Sequence, residues 1–129
     1  MTTSAIPSAA SRLLGQQLGS VLTAIDYITL NFAKYPLTPA GEFSDSALLD
    51  IEEGFEMTGS GGRFSIRKND DLGAFQKSAA HLLGLIGQRV TDVNDLPSGE
   101  LLVQFDGHTT VRLLINADGF DSFALTFKS

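Results

Sequence analysis

The sequence predicts an α+β domain dominated by strands, in which two β-meander halves repeat one another around an intervening amphipathic helix. Three observations carry this. Leu14-Gly15-Gln16-x-Leu18-x-x-Val21 can be laid on Ile86-Gly87-Gln88-x-Val90-x-x-Val93. Ile28-x-Leu30-Asn31-Phe32 can then be laid on Leu101-x-Val103-Gln104-Phe105, one residue further along. In both stretches, runs of strand-forming residues alternate with Gly, Pro and Asp turns. A third match sets Phe64-x-Ile66 against Phe123-x-Leu125. It gives the first copy about 14 extra residues between Phe32 and Phe64.

The elements follow in order. Residues 1–11, rich in Ala, Ser and Thr, read as a flexible tail. A short helix over Ser8 to Leu14 would precede the first meander, residues 12–68. Gln17 to Leu22 and Asp26 to Ala33 are its first strands. Lys34 to Ser44 is irregular, with Pro36, Pro39 and Gly41. Leu48 to Glu52 and Phe55 to Thr58 are short extended pieces. Gly59-Ser60-Gly61-Gly62 is a turn, and Arg63 to Lys68 closes the copy.

Residues 69–84 form the intervening helix. Asn69 or Asp70 can cap it, Leu72, Phe75, Ala79 and Leu82 share one face, and Gly84 stops it. The second meander occupies 85–129. Arg89 to Val93 and Glu100 to Phe105 are strands around a Pro-Gly turn. Asp106-Gly107 is a strong hairpin signal before Thr109 to Ile115. Asn116 to Gly119 turns the chain into Phe120 to Phe127.

Composition bounds the function. The chain has 129 residues, 43% hydrophobic and 19% charged, which suits one globular domain. It has no cysteine, which excludes a disulfide framework, a thiolate zinc site and a cysteine nucleophile. No apolar run reaches the length of a membrane span, and the N-terminus lacks the pattern of a signal peptide. A cytoplasmic protein without contact to membrane is the expectation. Nucleic-acid binding is disfavoured, because the net charge is −6 and the sole basic cluster, Arg63, Arg67 and Lys68, runs at once into Asp70 and Asp71.

That charge is uneven. Tyr35 to Gly62 holds six acids, Glu42, Asp45, Asp50, Glu52, Glu53 and Glu56, and no base. The rest of the chain is balanced. The acids are interleaved with apolar residues, including Tyr35, Phe43 and Phe55. An acidic insertion with aromatic anchors has the composition of a protein interface, and its potential would draw a basic partner. The competing reading is a solvated loop whose apolar residues dock on the core.

Catalytic signals are weak. Glu52-Glu53, Asp70-Asp71, Asp92/Asp95 and Asp118/Asp121 are acidic pairs in turn-like sequence, where carboxylates usually cap or face water. The calcium-loop and phosphate-loop patterns are absent. His81 and His108 have nothing in the sequence to bring them together. No catalytic residue, metal or cofactor is expected.

Residues 86–127 carry a resemblance. The Gly87-x-x-Val90-x-x-Val93 start, the strand ending at Phe105, the Asp106-Gly107 turn and the aromatic closing strand resemble small bacterial proteins of unknown function. Some of those are immunity proteins of secreted or contact-dependent toxin systems. The resemblance implies a non-enzymatic protein that neutralises a basic, nuclease-type toxin by binding it. The alternatives are a small-molecule-binding domain with an apolar pocket between the halves, and a structural protein that self-associates through open sheet edges.

Overall fold

The computed structural model describes residues 9–34, 46–116 and 122–128. Among the described residues, nine strands form two antiparallel sheets: β1 (Gln17–Thr23), β2 (Ile28–Ala33), β3 (Ser46–Ile51), β4 (Gly54–Gly59), β5 (Gly62–Arg67), β6 (Val90–Asp95), β7 (Leu101–Phe105), β8 (Thr110–Leu113) and β9 (Phe123–Lys128). The first sheet has the order β1-β2-β3-β9 and the second β5-β4-β8-β7-β6. A 3-10 turn, Ala9–Leu13, precedes β1. Two short helices, α1 (Leu72–Lys77) and α2 (Ala79–Leu83), separate β5 from β6.

The strand order exposes a pseudo-twofold exchange. β1-β2-β3 is one meander and β6-β7-β8 the other. Each half then sends its fourth strand into the opposite sheet: β4 pairs with β8, and β9 with β3. The helical pieces are exchanged too, since α2 packs on β1 and the 3-10 turn on β6. The strand-dominated α+β class with two meander halves is therefore observed.

The match offset by 72 holds at the level of single hydrogen bonds. Gly15 N–H donates to the Val90 carbonyl at 2.9 Å, and Gly87 N–H to that of Leu18 at 2.7 Å. Leu18 N–H donates to Gln88 at 3.0 Å, and Val90 N–H to Gln16 at 2.9 Å. Gly15 and Gly87 both have positive φ, +82° and +93°, a backbone that L side chains adopt at a cost. The bulge between Leu18 and Ser20 recurs between Val90 and Asp92. Such bulges bend a strand and sharpen its twist.

The third match is corrected. Pairing sets Ile51 opposite Phe123 and Leu113 opposite Phe55. The repeat of Phe123-x-Leu125 is therefore Phe55-x-Met57 on β4, and β5 with Phe64-x-Ile66 has no counterpart among the described residues. The first copy's added length lies in two places: the connection between β2 and β3, and the strand β5.

Period-two burial explains the core. Ala47, Leu49 and Ile51 point inward along β3, as Leu101, Val103 and Phe105 do along β7. Ile28, Leu30 and Phe32 complete the inward face of the first sheet, Val111 and Leu113 that of the second, and one cluster joins both. Leu13 and Leu85, equivalent across the repeat, close it. Ala10 is also buried, so the N-terminal tail does not extend to residue 11; residues 1–8 lie outside the described part.

Three local expectations change. The helix is capped by Asp71, whose Oδ1 accepts from Ala74 N–H at 3.0 Å, and not by Asn69 or Asp70. Leu72 is exposed while Phe75, Ala79 and Leu82 are buried, so the inward face starts a turn later than the spacing suggested. After Phe105 the loop has three residues. His108, not Gly107, takes positive φ (+71°), and Phe105 N–H donates to Thr109 at 2.8 Å. This is the longer hairpin loop with one left-handed residue.

Candidate functional site

Interface chemistry is expected on the acidic segment, and three of its described carboxylates, those of Asp50, Glu53 and Glu56, are held by their own chain. Glu53 is buried, and its Oε2 accepts from Arg67 Nη1 at 3.0 Å. Arg67 also donates to the Ile115 carbonyl at 3.0 Å. Glu56 accepts from Arg63 Nη2 at 2.7 Å. Asp50, half-buried, accepts from Thr29 Oγ1 at 2.6 Å. Both arginines stand on β5, which the hairpin register folds back onto β4. A segment with no base of its own is thus met by two from the next strand.

The expected site is corrected accordingly. Phe55 is fully buried in the core, because β4 turns it inward opposite Leu113, and it cannot anchor a partner. Asp50, Glu52, Glu53 and Glu56 lie on or between the repeat's own strands β3 and β4, not in an insertion. Glu53 and Glu56 are held by cations, and Glu52 is half-buried at the crossing between sheets. Tyr35, Glu42, Phe43 and Asp45 lie outside the described residues.

The expected apolar pocket between the halves would lie at the pseudo-twofold region. The rings of Phe32 and Phe105 stack there with centroids 6.2 Å apart. A concavity of about 380 Å³ lies elsewhere, at the β4–β5 turn. Met57, Phe64, His81 and Thr109 are among its walls. His81 stacks on Phe64 at 3.9 Å between ring centroids, so its ring serves packing. Among the described residues no group of three His, Cys, Asp or Glu side chains is arranged to hold a metal.

A different surface stands out. Among the described residues, seven large apolar side chains are exposed: Leu14, Leu22, Ile25, Tyr27, Leu72, Leu83 and Ile86. All fall in two stretches, 14–27 and 72–86, that pack on each other. α2 lies on β1, Gln76 Nε2 donates to the Ile25 carbonyl at 2.7 Å, and Gly87 is tied to Leu18. The repeat supplies an internal control. At equivalent places in the other half, Leu22 becomes Asn94, Leu83 becomes Ser11 and Tyr27 becomes Glu100. At these three points the fold is built once with polar residues and once with apolar ones, whereas the equivalent Leu14 and Ile86 are exposed and apolar in both halves. Exposed Asp26 lies between Ile25 and Tyr27, and exposed Asp70 and Asp71 precede Leu72. Sequence reading missed this face because its residues share the spacing of core residues. The polar substitutions in the aligned copy were the available signal.

Comparison with protein-family profiles, with curated proteins and with solved structures finds no match. Among the described residues no helix is long and apolar enough to cross a membrane.

Proposed function

We propose that the chain is a non-enzymatic protein-binding module that engages its partner through the face built from β1, the β1–β2 hairpin and α1–α2. One observation supports this above others. Leu22 and Leu83 are exposed by 59% and 50% where the other half of the fold carries Asn94 and Ser11. Where exposed apolar side chains form a contiguous patch, they characteristically mark an interaction site.

The partner's chemistry follows from the border of that face. Asp26, Asp70 and Asp71 outnumber the exposed Lys77 of α1 and favour a protein with an apolar contact surface edged by Lys or Arg. The reading keeps a basic protein as partner and moves its docking place away from the paired acids of β4. With Arg63 and Arg67 drawn to carboxylates, the basic cluster offers little to a nucleic acid. Neutralisation of a toxin is one use of such a module. That narrower reading rests on the resemblance of residues 86–127 alone. A cytoplasmic setting, suggested by the cysteine-free composition, belongs to the same proposal.

The test compares two variants against a partner purified from native host cells. Leu22→Asn with Leu83→Ser installs residue types that the fold already carries at equivalent sites. It should lower affinity by about tenfold or more. Glu52→Lys, on the acidic segment, should change it by less than about threefold, as rim charges do. The reverse ranking would return the docking site to the acids.

A further inference from the structure

The exchange of fourth strands leaves the two sheets unequal. β4 is covered on its outer edge by β5, whereas β9, its equivalent, has no strand on its outer edge among the described residues. We propose that this edge pairs antiparallel with β9 of a second copy of the chain, about a twofold axis at Leu125.

The hydrogen-bond pattern says which groups are offered. Glu52 N–H donates to the Ser122 carbonyl at 3.0 Å, which makes 52 and 122 a hydrogen-bonded pair. Antiparallel pairs alternate, so 50/124 and 48/126 are bonded pairs in the same register. The backbone groups of Phe123, Leu125 and Phe127 therefore point away from β3. A second β9 offers the same three positions. With Leu125 opposite its own copy, Phe123 meets Phe127 of the other chain, and every outward group finds a partner.

Edge protection singles out this strand. β1 is bulged at Gly19 and covered by α2. β6 is bulged at Thr91, covered by the 3-10 turn, and carries Asp92 and Asp95. β5 carries Arg63 and Arg67. These are the usual devices against edge pairing. Phe123 to Phe127, all of β9 but its terminal Lys128, has no charge, no proline and no bulge in its register with β3. Phe123, Leu125 and Phe127 are only half-buried, and strand pairing would cover them as β5 covers Phe55 on β4. An interface of one short strand from each chain is small, so the association is weak and depends on concentration.

Amide exchange on the full wild-type chain reads this directly. As concentration rises from dilute to millimolar, the amides of Phe123, Leu125 and Phe127 should slow by about tenfold or more, while those of Ala124 and Thr126 stay protected throughout. Sedimentation should show monomer passing to dimer over the same range. In the twofold pairing, residue 124 faces 126 of the other chain, so Ala124→Lys with Thr126→Lys sets like charges opposite. That variant should be monomeric, and mixing it with Ala124→Glu/Thr126→Glu should restore a dimer. Three results would each overturn the proposal: a monomer at every concentration, outward amides that exchange equally fast when dilute and concentrated, or a dimer unaffected by the paired lysines. If the lysine variant fails to fold, the wild-type amide pattern decides alone.

Discussion

Phe32 and Phe105 stack with their ring planes 21° apart, and they are the same residue of the repeat seen twice. Each meander contributes one ring at the end of its second strand, and the two sheets close on that pair. Removing either ring should leave a similar void. Phe32→Ala and Phe105→Ala should each cost about 3–5 kcal/mol in denaturant unfolding. The double variant should cost less than the sum, because the second truncation removes a ring that has already lost its neighbour. Strictly additive losses would mean the two halves do not share this contact.

Gly54 stands where the chain leaves the first sheet for the second. Its φ is +154°, and a Cβ there would lie 2.2 Å from the Ile66 carbonyl oxygen. Because the obstacle is backbone of the paired strand, it cannot swing aside. Gly54→Ala should destabilise by more than about 3 kcal/mol or prevent folding. A thermal midpoint within a few degrees of wild type would contradict the close crossing of β4 and β5.

The Glu53–Arg67 pair and the Glu56–Arg63 pair should behave differently. Glu53 is buried, and Arg67 also satisfies the Ile115 carbonyl. Arg67→Met strands both acceptors and should cost about 2–4 kcal/mol. Arg63, with 68% of its side chain exposed, holds Glu56 across solvent. Arg63→Met should cost less than about 1 kcal/mol. Equal losses in chemical denaturation would argue against the inward placement of Glu53.

His108 has positive φ in a three-residue hairpin loop. Glycine adopts that backbone without the Cβ penalty, which more than offsets its extra freedom in the unfolded chain. His108→Gly should raise stability by about 0.5–1 kcal/mol, measured by urea unfolding. A loss of stability would place the left-handed residue elsewhere in the loop.

The repeat was legible where the fold constrains several residues at once. Gly15-Gln16 and Gly87-Gln88 each need a positive-φ glycine beside a strand that crosses to the other half, so the pattern recurs at a fixed offset. It failed at Phe64-x-Ile66 because β4 and β5 carry the same alternation, and period two alone cannot say which strand crosses to the other sheet. The acidic count misled for a related reason. Arg63 and Arg67 reach Glu56 and Glu53 only through the hairpin, which a segment-by-segment tally of charge does not see. The exposed leucines were hidden among residues of helical and strand spacing. Whether such a residue faces the core depends on which half its neighbour comes from.

If the face carrying Leu22 and Leu83 is a contact surface, the repeat provides its own control. A photo-cross-linking residue placed at Leu83, and separately at its equivalent Ser11, would be activated in native host cells. A discrete protein adduct is expected from position 83, weakened when Leu22 is also replaced by Asn, and none from position 11. Equal adducts from both positions, or an adduct from 83 that is indifferent to Leu22, would contradict it.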